Sequence, residues 1–293
     1  MPKNLRKDII NAKVLLEEAD AILIISGAGM SVDSGIPTYR GKNGLWEKTI
    51  KIYDEIYSYN EISSLAMWKK KPELVWGFKS NFYKTINETE PHQGYYDLLT
   101  GLQNKNYDYF IATSNVDGYF HRAGFDSEKI YEVHGTIENV QCSDKWCNER
   151  HGVYKTKSYP RYIPPCFEYA PFIACYLPNC MSCNNILRPN ISLFGDYEFY
   201  GVPYEHQRRR LNTWLKDIER KKKKLIILEI GCGINPHSLR MCNGKMMSGE
   251  WKMPIIENNI GTIRINPDDI QDDDNETIHI SLGAKKGIHN LFN

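Results

Sequence analysis

Leu5, Ile9, Ala12 and Leu16 recur at helical spacing with charged residues between them, which predicts an amphipathic helix over residues 5–19. The next apolar positions are contiguous. Ala21-Ile22-Leu23-Ile24-Ile25 runs without a polar break into Ser26-Gly27, the pattern of a strand buried on both faces. Similar runs recur at Tyr109–Thr113, Ile191–Phe194, Leu225–Ile230, Thr262–Ile265 and Ile278–Leu282. Helical stretches lie between several of them, notably Tyr95–Gln103 and Glu205–Lys221. Buried strands alternating with helices predict an α/β fold with a parallel sheet. The basic run Lys221–Lys224 reads as the charged end of a helix, where cations meet the C-terminal dipole.

Two stretches break this pattern. Residues 42–90 are polar and helical, with Trp46, Trp68 and Trp76 as internal anchors. Residues 136–187 hold six of the eight cysteines and many Pro and Tyr. Both are read as insertions that form a smaller module beside the sheet. The sheet domain is then assembled from residues 1–41, 91–135 and 188–293.

The 293 residues suit one large domain or two small ones. Lys plus Arg number 37 against 36 Asp plus Glu, a net charge of +1, which argues against a non-specific nucleic-acid binder. No apolar run approaches the ~20 residues of a membrane span, and Met1–Lys7 is polar with no signal-peptide core behind it. A cytoplasmic, reducing location is expected, with no nucleic-acid or membrane partner. Eight cysteines are too few for a disulfide scaffold in a chain this long, and their clustering favours metal.

Two constellations carry chemistry. In Ile25-Ser26-Gly27-Ala28-Gly29-Met30-Ser31 a buried strand enters a Gly-x-Gly turn. Glycines let the backbone approach a pyrophosphate, and amides at a following helix start can hold it. The third glycine of the usual dinucleotide fingerprint is absent, and no second strand precedes Glu47 to give it a ribose role. The second constellation is Cys142-x4-Cys147 followed by Cys180-x2-Cys183, two close pairs of thiols that suit tetrahedral zinc. The first pair is widely spaced, so Cys166, Cys175 or His151 could stand in for Cys147.

The glycine turn continues through Ser34-Gly35-Ile36-Pro37-Thr38-Tyr39-Arg40-Gly41, and the stretch from Gly27 to Gly41 resembles the fingerprint of the sirtuin family. Further blocks follow in the family's order: Thr113-Ser114-Asn115-Val116-Asp117, His121 with Ala123-Gly124, Val133-His134-Gly135, Leu187-Arg188-Pro189, Phe194-Gly195-Asp196, Gly231-Cys232-Gly233 and Ile265-Asn266. The resemblance implies a Rossmann-like sheet with a helical insertion and a zinc-binding insertion. It also implies an NAD-dependent protein-lysine deacylase that moves the acyl group of a protein or peptide lysine to ADP-ribose and releases nicotinamide.

By the same resemblance, His134 is the general base, and a pKa near 6.5 suits that task. Asn115 and Asp117 bind the nicotinamide ribose and carboxamide, with Asn115 also catalytic. Gly27, Ala28, Gly29, Ser31, Tyr39, Arg40, Ser114, Gly231, Cys232, Gly233 and Asn266 complete the NAD site. Cys142, Cys147, Cys180 and Cys183 hold a closed, structural zinc, and the peptide lies between Phe194–Tyr197 and Ile234–Leu239. Thr38, Ser114 and Gly233 depart from the family pattern, which keeps an NAD hydrolase or ADP-ribosyltransferase as the alternative. Thr38 also resembles the desuccinylase branch, whose Tyr-x-x-Arg pair binds an acyl carboxylate. Here those positions are Lys79 and Phe82. A Phe cannot grip a carboxylate, and Lys79 is expected on a solvated helix face, so neutral acyl groups are expected to be preferred.

Overall fold

The computed structural model describes residues 3–38, 50–52, 55–158, 173–233, 241–242, 245–246, 259–267 and 277–293. In chain order these form α1 (Lys3–Glu17), β1 (Ala21–Ser26), β2 (Ile50–Ile52), β3 (Glu55–Tyr57), α2 (Tyr59–Ile62), α3 (Leu65–Lys70), α4 (Pro72–Glu88) and α5 (Gln93–Asn104). There follow β4 (Asp108–Thr113), α6 (Tyr119–Arg122), β5 (Ile130–Glu132), β6 (Gly135–Cys142), α7 (Lys145–His151), β7 (Tyr154–Lys155) and β8 (Leu187–Ile191). The last are α8 (Val202–Arg220), β9 (Leu225–Ile230), β10 (Met241–Cys242), β11 (Lys245–Met246), β12 (Asn259–Ile265), β13 (Thr277–Ile280) and α9 (Ala284–Phe292).

Six strands form one parallel sheet in the order β13-β12-β9-β1-β4-β5. The contiguous apolar runs are explained by two covered faces. Ala21, Leu23 and Ile25 of β1 pack with Leu211, Leu215 and Ile218 of α8. Ile22 and Ile24 join α1, α5 and α9 through Ile9, Leu98 and Ile288. Lys221 and Lys223 pair with Asp217 and Asp108, so the basic run is a helix end and its exit. β5 escapes sequence reading because three residues are too few to show a period.

The run Ile191–Phe194 is corrected by the structure. The strand is β8, which ends at Ile191 and pairs antiparallel with β6 in a separate sheet of order β7-β6-β8. Beyond it the chain turns, because the Asp196 carboxylate accepts the Leu193 N–H at 3.1 Å and pairs with the buried Arg188.

The described part of the first insertion opens with the β2–β3 hairpin and continues as α2, α3 and α4. Trp68 and Trp76 are buried as expected, while Trp46 lies outside the described residues. The Trp76 indole N–H donates to the Leu187 carbonyl at 2.7 Å. Leu65, Val75 and Trp76 share one core with Val140, Cys142 and Leu187, so the two insertions form one smaller module beside the sheet. No described helix is long and apolar enough to cross a membrane.

Candidate active site

The sheet order makes β1 the point of reversal. The chain runs outward from β1 through β4 to β5, then returns to β9 on the other flank and continues to β12 and β13. In open parallel sheets, ligands bind beyond the carboxyl ends of the strands at such a reversal. The sequence-expected motifs stand at these ends: Gly27–Ser31 after β1, Ser114–Asp117 after β4, His134 after β5, Gly231–Gly233 after β9 and Asn266 after β12.

The glycines after β1 and β9 are explained by each other. A Cβ on Gly29 would lie 2.6 Å from the Gly231 Cα, and one on Gly27 would lie 2.6 Å from the Gly231 carbonyl oxygen. Gly231 itself has φ +63, and a Cβ there would meet the Met30 nitrogen at 2.3 Å. The Gly29 N–H donates to the Gly231 carbonyl at 3.0 Å, and the Gly27 N–H to that of Ile230 at 3.0 Å. The two turns are thus knotted backbone to backbone, and these amides are satisfied within the protein. Asn266 Nδ2 adds a third strand end by donating to the Cys232 carbonyl at 3.0 Å. Cys232 is buried with its thiol against the Ile25 carbonyl, a small packing residue, whereas Gly233 is exposed.

Beside this knot lies a small open cleft walled by Ala28, Ser31, Ile36, Phe82, Asn115 and Asp117. Its polar wall is one network centred on Ser31. The Ser31 hydroxyl donates to Asp117 Oδ2 at 2.6 Å and accepts from Asn115 Nδ2 at 3.0 Å. Its single proton is then committed, so the Tyr95 hydroxyl, 3.0 Å away, is the donor in that contact. Asp117 Oδ1 accepts the Tyr119 N–H at 3.0 Å, an Asx turn that starts α6. Burial pushes the Asp117 carboxyl above its usual range and, aided by the Asp117 charge, raises the Tyr95 hydroxyl further.

Sequence reasoning misses Tyr95 and His92, since nothing marks either as more than a helix residue. His92 caps α5 by accepting the Gly94 N–H at Nδ1, 3.0 Å away, so its Nε2–H donates to the Met30 carbonyl at 2.7 Å. Burial lowers its pKa, which keeps this neutral tautomer.

His134 occupies the turn between β5 and β6 and is half-buried. Its carbonyl accepts the Ser192 N–H at 2.9 Å, which ties the turn to the end of β8. Gly135 must be glycine there: its φ is +78, and a Cβ would stand only 2.3 Å from the Asn190 carbonyl oxygen. Ser114 does not extend into the cleft: its hydroxyl leans back to the Ser26 carbonyl at 3.4 Å. Tyr39, Arg40 and the segment Ile234–Leu239 lie outside the described residues. Lys79 departs from expectation. It is buried at 4% exposure on α4, not on a solvated face.

The four expected cysteines converge. Their sulfurs all lie within 4.8 Å of one another, with Cys142 Sγ to Cys183 Sγ at 3.4 Å and Cys147 Sγ to Cys180 Sγ at 3.6 Å. A tetrahedron of Zn–S bonds of about 2.3 Å has edges of ~3.8 Å, so the soft sulfur set fits zinc. The long first spacing is accounted for by α7, which Asp144 caps by accepting the Cys147 N–H at 3.1 Å. Burial raises the Cys142 thiol and raises that of Cys147 to about 11; a bound cation would reverse this. Burial also opposes ionisation of Cys180, but the Tyr154 hydroxyl and the Ser182 and Cys183 amides hold it down at about 6. Cys175 is exposed and disulfide-bonded, against the expectation that the cysteines serve metal, and it is no ligand. Cys166 lies outside the described residues, and His151 is exposed at the end of α7.

The model of the Sir2 family matches residues 27–219. An NAD-dependent protein deacylase of Aquifex aeolicus is 26% identical over 272 residues, covering 92% of this chain and 93% of the relative. One from Pyrococcus furiosus is 32% identical over 185 residues, 63% of this chain and 64% of the relative. A crystal structure of a Sir2 homolog in complex with NAD shares the fold, with a TM-score of 0.64 at 22% identity over 98% of this chain and 91% of the other.

Proposed function

The chain belongs to the Sir2 family, and from that premise we propose that it is an NAD-dependent protein-lysine deacylase that transfers the acyl group to ADP-ribose. The observation that carries the reading is the Ser31–Asn115–Asp117 network, which walls the cleft at the sheet's reversal point with His134 one strand further along the same edge. The relatives are named for NAD-dependent protein deacylation, which supports a protein substrate.

NAD, the co-substrate, supplies the ribose that receives the acyl group and the nicotinamide that leaves. Asp117 offers a carboxylate to a carboxamide N–H, and its partners Ser31 and Tyr119 fix where it points. Asn115 is held by Ser31 and by its own N–H, which donates to Thr113 Oγ1 at 3.1 Å, so it meets a ribose hydroxyl at little ordering cost. His134 takes the ribose proton as general base. Gly27, Ala28, Gly29, Gly231, Cys232, Gly233 and Asn266 shape the cofactor side of the crevice, with Tyr39, Arg40 and Ser114 assigned there by resemblance alone. Cys142, Cys147, Cys180 and Cys183 would hold one structural zinc, in a site whose ligands are all protein.

The division proposed is 1–41, 91–135 and 188–293 around the insertions 42–90 and 136–187; the small sheet begins at Gly135 and ends at Ile191, so its last strand runs four residues past the second insertion's proposed end.

The reading is tested at His134. His134→Ala should lower deacylation by ~10²-fold or more while NAD binding, read by titration calorimetry, persists. Near-normal turnover in that variant removes His134 from the mechanism.

A further inference from the structure

Among the described residues β5 is an edge of the parallel sheet. An edge strand points alternate N–H groups away from the sheet, where a further strand would receive them. The Val133 N–H turns inward to the Thr113 carbonyl at 2.9 Å. The Glu132 N–H points outward, and the Gln207 side chain of α8 stands where that further strand would be. Gln207 Oε1 accepts the Glu132 N–H at 2.8 Å, and Gln207 Nε2 donates to Glu132 Oε2 at 3.3 Å. One amide thus holds both the backbone and the carboxylate of the residue two before His134.

Glu132 is buried and takes no part in the chemistry proposed for the cleft. A buried carboxylate needs partners. Its other oxygen, Oε1, faces His121 Nε2 of α6 at 3.6 Å, and His121 Nδ1 lies 3.1 Å from the Ser127 hydroxyl. Arg210, one turn after Gln207 on α8, donates to the Glu128 and Ser127 carbonyls at 3.0 and 3.3 Å. These contacts close a ring that runs from α8 through the turn before β5 to α6 and back to Glu132. The ring adjoins the cleft, because the Asx turn of Asp117 starts α6. Burial, and after it the Glu132 charge, raises the Asp117 carboxyl.

We propose that Glu132 is a positioning residue for His134, held to that task by Gln207 of α8 and His121 of α6. This rests on the deacylase reading above, in which His134 is the base. A strand end left open at the sheet edge lets the turn that follows it shift, and a displacement of about 1 Å at a catalytic group costs about 10²-fold in rate. With the ring closed, the chain enters Val133 and His134 from a fixed backbone. On the far side the His134 carbonyl is tied to the Ser192 N–H. The base is thus held from both directions.

The test uses the full chain with NAD and an acetyl-lysine peptide. Gln207→Met keeps the length of the side chain and removes both of its hydrogen-bonding groups. Gln207 is only half-buried, so Tm should change little. We expect kcat for deacylation to fall about tenfold with both KM values within about twofold of the unaltered chain. The base acts after nicotinamide has left, so peptide-dependent exchange of labelled nicotinamide into NAD should persist. Glu132→Leu should lower kcat in the same way, and Glu132→Gln, which still offers Gln207 an acceptor, should keep most of it. If Glu132→Leu does not fold, Gln207→Met decides alone. An unchanged kcat in Gln207→Met overturns the proposal and leaves the deacylase reading standing. So does loss of exchange together with deacylation, or a Glu132→Gln as slow as Glu132→Leu. An unaltered chain that does not deacylate the peptide overturns both.

Discussion

At the scale of single residues, the site depends on how one hydroxyl distributes one proton. Ser31 donates to Asp117 and accepts from Asn115 and Tyr95, which uses every hydrogen-bonding capacity it has. Tyr95 is a positioning residue in this scheme, since it bonds Ser31 from behind and is not itself among the residues that wall the cleft. Tyr95→Phe removes about 1 kcal/mol of hydrogen bonding. We expect it to raise KM for NAD about fivefold with the KM for acyl peptide little changed. A variant with both constants unaltered would show that Tyr95 only packs. Ser31, Asn115 and Asp117 are legible in the sequence because each lies in a block with a fixed order. Tyr95 is not, because a tyrosine near a helix start looks like any core aromatic. The burial of Lys79 is not legible either, because spacing on α4 does not tell what lies over the helix, and here α2 and its Ser63 cap cover it.

At the scale of elements, strands deliver the chemistry and glycines hold the strand ends together. The strand runs at Ala21, Tyr109 and Leu225 are legible because a doubly covered strand is a nearly contiguous apolar run; those at Thr262 and Ile278 show alternating isoleucines around Arg264 and His279. The run at Ile191 misleads because Arg188 and Asp196, distant in pattern but paired in space, bend the chain after β8. The Gly-x-Gly turn reads in sequence as a phosphate cradle, yet its glycines first serve the close approach of Gly231. Gly231→Ala would place a Cβ 2.3 Å from the Met30 nitrogen at a positive φ. We expect it to destabilise the fold by about 2 kcal/mol or more, read as a lower urea midpoint. Gly233→Ala is the control, since among the described residues a Cβ there meets nothing within 4 Å and the midpoint should barely move. Equal losses in the two variants would contradict the knot.

At the scale of the molecule, the smaller module joins two insertions through one core, so the metal should support more than its own knuckles. Cys142, Cys147 and Cys180 pack in the same cluster as Trp68 and Trp76. We expect one zinc per chain. Stripping it with a chelator should lower Tm and shift tryptophan emission together, because binding energy of a structural metal is folding energy. Metal loss with an unchanged Tm would make the site incidental to the fold. The pairing of cysteines is legible from their spacing. That Cys147 and not Cys175 completes the set is not, since it depends on α7 filling the long spacing and on Cys175 being held in a disulfide.

If the cleft couples NAD to an acylated lysine, the release of nicotinamide reports on that coupling. The decisive measurement is nicotinamide release from NAD by the unaltered chain, with and without an acyl-lysine peptide, alongside the deacylated peptide formed. Release should depend on the peptide and equal deacylated product one for one. Release at the same rate without peptide, and no deacylated product with it, would contradict the account and point instead to water or a side chain as the acceptor of ADP-ribose.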